Sequence, residues 1–185
     1  MKITRRATLS DVAACVAGVL SEAGIRCVLT GGACASLYTR GAYQSSDLDF
    51  VIQSAVTRPQ LDGAMRKAGF ERQGNQYVHA TSAFFVEFPP GPLAIGGDFR
   101  IQPIEYSIRR KSVLMLSATD SCRDRLAAFY FWNDRQSLRT AVQIATSRRV
   151  DLDRIREWSA EEGHQGGFEE FMHELDLRRR RRPQR

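Results

Sequence analysis

Residues 28–52 read V-L-T-G-G-A-C-A-S-L-Y-T-R-G-A-Y-Q-S-S-D-L-D-F-V-I, and the rest of the chain is organised around this stretch. It opens with an apolar run that contains β-branched residues and ends at the glycine pair Gly31-Gly32. A short helix can begin directly at these glycines. A polar loop follows, and then a second apolar run that carries Asp47 and Asp49. Because side chains alternate along a strand, the two carboxylates are predicted to lie on one face. The stretch therefore predicts a strand, a short helix and a strand that presents two acids.

The two carboxylates predict a bound cation. Asp47 and Asp49 are one residue apart, so they repel each other unless a positive ion lies between them. Magnesium prefers hard oxygen ligands and often shares them with nucleotide phosphates. The glycine pair offers backbone N–H groups at the start of a helix, which is a favourable place for a phosphate. Arg40, Ser45 and Ser46 add polar donors, so the stretch predicts a site for a metal-bound nucleoside triphosphate.

The segments around this stretch predict further strands and helices. Ser10 is predicted to cap a helix over residues 11–23, and a helix with proline at its start covers residues 59–68. The runs Q-Y-V-H-A and A-F-F-V-E-F predict two antiparallel strands around a turn at Thr81-Ser82. Additional strands are predicted over residues 100–108 and 113–116.

From residue 121 onward, helical periodicity replaces strand alternation. Four helices are predicted there, the third capped by Asp151 and the fourth running into an arginine-rich end. Strands in the first two thirds and helices in the last third predict an α+β domain followed by a C-terminal helical bundle. The predicted divisions are an α+β domain over residues 1–118, a helical region over 119–177 and a disordered basic tail over 178–185.

The order L-T-G-G, a spacer and D-L-D-F on the next strand resembles the signature of the nucleotidyltransferase superfamily over roughly residues 25–90. The spacer of 14 residues between Gly32 and Asp47 is slightly longer than usual. The resemblance implies a catalytic domain with a polymerase beta-type palm, which is a mixed β-sheet flanked by helices. It also implies a third carboxylate on a later strand. Glu87 is the candidate, because it lies on an apolar strand about 40 residues after Asp47.

The resemblance implies a magnesium-dependent enzyme that transfers a nucleoside monophosphate from a nucleoside triphosphate, such as ATP, to a hydroxyl of a protein, an RNA or a small molecule. Two Mg²⁺ ions would bridge the triphosphate and the catalytic, metal-binding residues Asp47, Asp49 and Glu87. Standalone members of this size resemble one half of a toxin–antitoxin pair. The residues that would contact the nucleotide are Gly31, Gly32, Arg40, Ser45 and Ser46.

Other interpretations remain open at this point. The glycine pair forms a tight turn in the simplest of them, and Asp47 and Asp49 are solvent-facing residues of an edge strand. In a second, the chain is a catalytically degenerate member that binds a nucleotide or a partner, with the C-terminal helices as the surface for a partner protein or a second copy. In a third, it is an RNA-binding module that uses the arginine tail.

The net charge of +6 comes from the end of the chain. Subtracting the six arginines at 178–182 and 185 from the 27 basic residues leaves 21, which equals the number of acidic residues. Such a run is typical of a solvated, disordered end, and it also suits a loose electrostatic arm for nucleic acid.

The remaining patterns predict a soluble protein with an ordinary apolar interior. The four cysteines are scattered without a C-x-x-C pair, which is typical of buried thiols rather than of a disulfide or a zinc site. Tyr130, Phe131 and Trp132 occupy helical positions and are predicted to pack in the core. Because the chain has neither an apolar run of about 18 residues nor an apolar leader, we expect a cytoplasmic protein without membrane contact.

Overall fold

The computed structural model describes residues 3–181. Over this range the chain forms seven helices and one seven-stranded mixed sheet, which confirms the α+β class. The helices are α1 Leu9–Glu22, α2 Gly31–Thr39, α3 Arg58–Lys67, α4 Ala118–Trp132, α5 Arg135–Ser147, α6 Leu152–Glu161 and α7 Gln165–Arg180. The strands are β1 Cys27–Thr30, β2 Asp47–Ile52, β3 Phe70–Gln73, β4 Gln76–His79, β5 Phe85–Glu87, β6 Ile104–Ile108 and β7 Lys111–Met115.

The described chain divides into two compact units. The sheet unit contains residues 3–34, 44–93 and 102–116, and the helical unit contains residues 35–43, 94–101 and 117–181. The sequence placed every residue up to 118 in one domain, whereas the short segments 35–43 and 94–101 belong to the helical unit. Both segments lie between strands in the sequence, so their membership depends on contacts with residues far along the chain.

The sheet has the strand order β3-β4-β5-β2-β1-β7-β6. Strand β2 pairs antiparallel with β1 on one side and parallel with β5 on the other, so it is an interior strand. The interpretation of Asp47 and Asp49 as residues of an edge strand is therefore wrong. Between these two positions, and just after them, Leu48 and Phe50 are fully buried and fix β2 in the core of the sheet unit.

Helix α1 begins two residues earlier than the sequence predicted. Thr8, not Ser10, is its N-cap, and its hydroxyl accepts a hydrogen bond from the Asp11 backbone N–H at 3.2 Å. The Asp11 carboxylate in turn accepts from the Thr8 backbone N–H at 2.9 Å. This reciprocal pair satisfies two backbone donors at once. Ser10 could not form such a pair, because no acidic residue lies three positions after it. Val12 and Leu20 then lie on the fully buried face of the helix.

The helical unit is tied together by a buried ionic network. The Arg123 guanidinium lies 2.6 Å from the Asp98 carboxylate and 2.8 Å from that of Asp120, and Arg154 reaches Asp120 at 3.0 Å. The Arg123 side chain is only 1% exposed. Burial by itself raises the pKa of Asp98, but hydrogen bonds from Arg123 and Arg100 outweigh it and hold the pKa below its usual range. The network therefore anchors segment 94–101 to helix α4.

Trp158 makes a second anchor for the same segment. Its indole N–H donates to the Ile95 carbonyl at 3.3 Å and to the Glu162 carboxylate at 3.1 Å. The Arg123 guanidinium lies over the indole ring, 4.9 Å from the centroid. Trp158 is 3% exposed and contacts Arg123, so the indole lies between the apolar core and the ionic network.

The structure confirms some of the elements predicted from the sequence and corrects others. Asp151 caps α6, and β4 and β5 pair antiparallel, as predicted. Strand β3 was missed because three of its four residues are exposed and polar or charged. Phe131 and Trp132 were wrongly placed in the core: their exposed fractions are 45% and 77%. Helical periodicity places them on α4, but it cannot say which face of α4 is covered.

The basic tail falls partly outside the described residues. Arg178, Arg179 and Arg180 form the last turn of α7, so these three positions are helical rather than disordered. The prediction for residues 182–185 lies outside the described part of the chain. All four cysteines are buried, as expected for interior thiols. Among residues 3–181, no helix combines the length and the apolar character needed to cross a membrane.

Candidate active site

Strand β2 brings the first two acids to one face of the sheet. Asp47 and Asp49 alternate with the fully buried Leu48 and Phe50, and both aspartates are half-buried. Because the apolar side chains must point into the core, the carboxylates are forced to the opposite face. The alternation in D-L-D-F therefore determines where the charges lie.

Glu87 joins them from the neighbouring strand. In the parallel pairing of β2 with β5, Asp47 is opposite Phe85 and Asp49 is opposite Glu87. Residues opposite each other on adjacent strands lie on the same face, so Glu87 shares the face of the two aspartates. One carboxylate oxygen from each of the three residues lies within 4.8 Å of the others. The convergence expected from the sequence is therefore present, while the catalytic and metal-binding roles of these residues remain predictions.

Two neutral side chains orient this carboxylate cluster, which we define as Asp47, Asp49 and Glu87. The Ser45 hydroxyl donates a hydrogen bond to Asp47 Oδ1. The Gln76 side-chain amide donates to Glu87 Oε1 at 2.8 Å. Both donors fix an acidic side chain without neutralising its charge. Ser45 was predicted to bind the nucleotide, and its observed contact is with a predicted metal ligand.

Gln76 was missed in the sequence, although a signal for it was present. The antiparallel register of β4 and β5 pairs Gln76 with Glu87 and Tyr77 with Val86. Counting outward from the predicted turn at residues 81–82 gives this same pairing. The predicted hairpin thus already placed an amide opposite the third acid, and only the register had to be followed.

Gly31 lies directly against the cluster. It has a φ of +62°, in the region that favours glycine, and a Cβ built on it would collide with Asp49 Oδ2. Strand β1 ends at Thr30, which pairs with Asp49, so helix α2 begins beside this carboxylate. The first N–H groups of a helix lack partners within the helix and favour negative charge. The glycine pair therefore allows the backbone to approach closely at the acidic site.

The remaining predicted contacts have different environments. Ser46 is exposed, and its carbonyl accepts a hydrogen bond from the Phe85 backbone N–H at 3.3 Å, at the start of the β2–β5 pairing. Gly32 is buried in the first turn of α2. Arg40 belongs to the helical unit, where it lines a cleft with other arginines. The assignment of Gly32, Arg40 and Ser46 to a triphosphate remains a prediction.

The carboxylate cluster fits a divalent cation. At an effective dielectric constant of about 20, two like charges about 4 Å apart repel by about 4 kcal/mol, and the cluster contains three such groups. Magnesium binds oxygen ligands and is commonly held by one or two carboxylates together with substrate phosphates. Half-buried carboxylates on two neighbouring strands match that donor set. The donor chemistry and the convergence of the oxygens therefore agree.

No protein-family model and no curated protein matches the chain. Among solved structures, it resembles an antigenic nucleotidyltransferase-like protein from Paracoccidioides brasiliensis, with a TM-score of 0.57 and 19% identity over 75% of each chain. It also resembles ANT(2")-Ia in complex with adenylyl-2"-tobramycin, with a TM-score of 0.57 and 12% identity over 89% of this chain and 98% of the other. At these identities the likeness shows a shared fold, and this is the fold that the sequence resemblance implied.

Proposed function

We propose that this chain, which has the nucleotidyltransferase fold, is a magnesium-dependent enzyme that transfers a nucleoside monophosphate from a nucleoside triphosphate to a hydroxyl acceptor. One observation carries the proposal: oxygens of Asp47, Asp49 and Glu87 lie within 4.8 Å of one another on two paired parallel strands. A fold shared with distant relatives does not by itself specify an activity. The three carboxylates that the proposal requires converge at one place in this fold.

Each residue of the site has a specific task in this proposal. Asp47 and Asp49 would hold divalent cations, and Glu87 would share the ion on the acceptor side. The bound ions would supply charge stabilisation for the attacking and leaving oxygens. Ser45 and Gln76 hold the first and third carboxylates in place by their hydrogen bonds. Gly31 keeps side-chain atoms away from Asp49, so that phosphate oxygens can approach.

The reaction is a displacement at the α-phosphorus. The acceptor oxygen forms a bond to phosphorus, and the bond from phosphorus to the oxygen that bridges to the β-phosphate breaks. Pyrophosphate leaves with the bonding electron pair, and the hydroxyl proton is released to solvent. The carboxylate cluster would position the triphosphate through the cations that it holds, and the N-terminus of α2 would hold phosphate oxygens directly. Positioning rather than proton transfer would then be the chain's main contribution.

The hydroxyl acceptor in the proposal belongs to a protein, an RNA or a small molecule. A solved structure with the same fold contains adenylyl-2"-tobramycin, which supports testing ATP as donor and a small hydroxylated molecule as acceptor. The resemblance to the nucleotidyltransferase superfamily also motivates a test of a role in a toxin–antitoxin pair. Growth of cells expressing the wild-type chain, compared with an Asp47→Asn variant, tests that role: equal growth argues against it.

The decisive experiment uses the four nucleoside triphosphates, each labelled at the α-phosphate. The purified chain is incubated with each one, magnesium and cell extract, and the label is followed into protein, RNA and small-molecule fractions. We expect magnesium-dependent transfer of at least one label, which EDTA and the variants Asp49→Asn and Glu87→Gln abolish. Binding of a triphosphate with magnesium but without transfer would instead favour the catalytically degenerate interpretation. Transfer that survives all three changes would refute the site.

A second readout tests metal binding without depending on turnover. Manganese can replace magnesium at oxygen-rich sites and reports its binding by electron paramagnetic resonance. We expect Mn²⁺ binding that Mg²⁺ competes away and that Asp47→Asn weakens. Asp153→Asn is the matched control, because Asp153 is an exposed aspartate of α6 in the helical unit. Equal Mn²⁺ binding by both variants would contradict the assignment of the carboxylate cluster.

A further inference from the structure

The helical unit contains a cleft of about 790 Å³ that is lined by many arginines. Helices α5 and α7 and the end of α2 supply its walls, and all of the lining residues belong to the helical unit. We call it the arginine cleft. Its charged lining residues are Arg40, Arg135, Arg139, Arg178, Arg181 and Glu174. Five positive charges thus face one negative charge.

Most of this positive charge is not neutralised by the protein. Arg135 pairs with Glu170 at 2.6 Å. Arg139 donates only to the neutral Gln136 side chain, at 3.1 Å. Arg40, Arg178 and Arg181 form no ion pair with any residue in the described part of the chain. Concentrated like charges are costly unless an anion binds among them, so the cleft has the electrostatics of an anion site.

Arg40 occupies a conformation that a glycine would adopt more easily. It follows the last residue of α2 with a φ of 54°. A residue with a side chain is strained in this region, whereas glycine is not. The backbone at Arg40 is therefore strained where its guanidinium lines the cleft. Strain of this kind is more common at functional sites than elsewhere.

The floor of the cleft is apolar, with polar groups beside it. Leu138 and Val142 of α5 line the cleft and are 2% and 4% exposed. Gln143 and Thr146 add polar side chains to the lining. The Gln143 side-chain oxygen is buried and has no hydrogen-bond partner among residues 3–181. A ligand that supplies a donor would satisfy it after a rotation of the amide.

We propose that the arginine cleft binds a single-stranded nucleic acid through its phosphodiester backbone. Arginine forks match phosphate geometry, and the cleft contains five of them spread over three elements, which suits a chain of phosphates better than a single anion. The apolar floor can contact sugars and bases between the phosphates, and their hydroxyl and amino groups supply the donors that Gln143 lacks. Apolar residues beside the arginines favour a single strand, whose bases are accessible, over a duplex, whose bases are paired and stacked inside. The proposal does not rest on nucleotidyl transfer.

Fluorescence anisotropy with labelled single strands of about 12 nucleotides tests the proposal, since single-strand sites span about 4–16 nucleotides. RNA and DNA of equal length are titrated with the full chain in EDTA and without triphosphate. Failure of binding here is therefore separate from failure of the proposed catalysis. With three to five arginines engaged, the slope of log affinity against log salt should be about −2 to −3.5. Binding of both strands indicates backbone recognition, and tighter RNA binding indicates a contact with the ribose hydroxyl.

Charge reversals locate the binding surface. Arg139→Glu with Arg178→Glu should weaken binding at least about tenfold and make the salt slope shallower by about 1.4. Both side chains are exposed, so the fold should survive, which circular dichroism checks. The double control Arg156→Glu with Arg149→Glu makes the same charge change on exposed residues of this unit that do not line the cleft. Equal loss in both double variants would overturn the proposal.

Arg40→Gly should weaken nucleic-acid binding without destabilising the fold, so it separates a loss of binding from a loss of folding. The substitution removes one cleft charge and relieves the positive φ, so nucleic-acid affinity should fall while the melting temperature stays the same or rises. Unchanged affinity in this variant and in the Arg139–Arg178 double variant would refute the proposal. Binding of an acidic peptide in preference to either strand would refute it as well.

Discussion

Asp98 and Asp120 in the helical unit face arginines, whereas the hydrogen bonds to Asp47 and Glu87 in the sheet unit come from a neutral hydroxyl and a neutral amide. The first arrangement neutralises its charges within the protein. The second orients its charges and leaves them in place. The difference separates an ionic network whose charges are paired within the chain from an acidic cluster whose donor set fits a cation.

The largest expected effect comes from removing a charge from the cluster. Asp47→Asn or Asp49→Asn should lower the rate of nucleotidyl transfer by at least about 10³-fold, which corresponds to about 4 kcal/mol of lost transition-state stabilisation. In EDTA, the melting temperature should not fall, because the substitution also reduces repulsion within the cluster. Initial rates and thermal unfolding measure the two effects. A large loss of stability in EDTA would mean that these acids stabilise the fold.

The ionic network should respond in the opposite way. Arg123→Met leaves Asp98 and Asp120 buried without their main partner and should lower the free energy of unfolding by about 3–5 kcal/mol. Arg156→Met is the control: it breaks an exposed pair with Asp153, worth about 0–1 kcal/mol. Urea denaturation of both variants gives the comparison. Similar losses would show that burial of the network has little energetic consequence.

Acid should weaken the network as well. Because the pKa of Asp98 is lowered in the folded state, its contribution is fully present above the unfolded pKa of about 3.9 and is lost as the pH falls through the folded pKa. The difference in unfolding free energy between wild type and Asp98→Asn should therefore be constant near neutrality and shrink below about pH 4. Denaturation series at several pH values measure it. A difference that grows on acidification would contradict the assignment.

Gln76 tests whether the neutral donors of the cluster matter. Gln76→Leu removes the hydrogen bond to Glu87, and loss of such a supporting contact should weaken the apparent affinity for the divalent metal by about 10–100-fold. The rate at saturating metal should fall much less. Titration of activity with Mg²⁺, and of the metal-free chain with Mn²⁺, separates the two quantities. A loss of rate at every metal concentration with unchanged metal affinity would argue against positioning by Gln76.

The smallest expected effect concerns the approach of the backbone to Asp49. Gly31→Ala should cost about 1 kcal/mol more than Gly24→Ala. Both glycines have a positive φ, but a Cβ at Gly24 meets nothing within 4 Å, whereas one at Gly31 meets the Asp49 carboxylate. Gly24 therefore reports backbone strain alone. Unfolding free energies of the two variants give the difference, and equal values would mean that Asp49 moves aside freely.

Short-range patterns predicted the acidic site well. Asp47 and Asp49 follow from strand alternation, and Glu87 follows from the resemblance together with its apolar strand. The register that pairs Gln76 with Glu87 could have been counted from the predicted turn. These residues were accessible because a strand repeats every two residues and a hairpin fixes its own pairing.

Long-range contacts were not predictable in the same way. Asp98 lies in an irregular segment 25 residues from Arg123, and no periodic pattern connects them. Arg40 follows the helix that starts at the glycine pair, yet it belongs to the helical unit. Trp132 lies at the end of α4, and its exposure depends on which helices cover that end. Tertiary packing decides all three cases, and a local sequence pattern has no information about it.

The two tryptophans of the helical unit differ in exposure, so their intrinsic fluorescence can report separately on the interior and on the surface. Trp158 is buried beside a guanidinium, while the other, Trp132, is 77% exposed, and the chain has only these two. Trp158 should therefore be shielded from iodide, whereas Trp132 should be quenched by iodide and emit at the longer wavelength of a solvated indole. Following each emission separately, without any added dye, distinguishes opening of the interior from events at the surface.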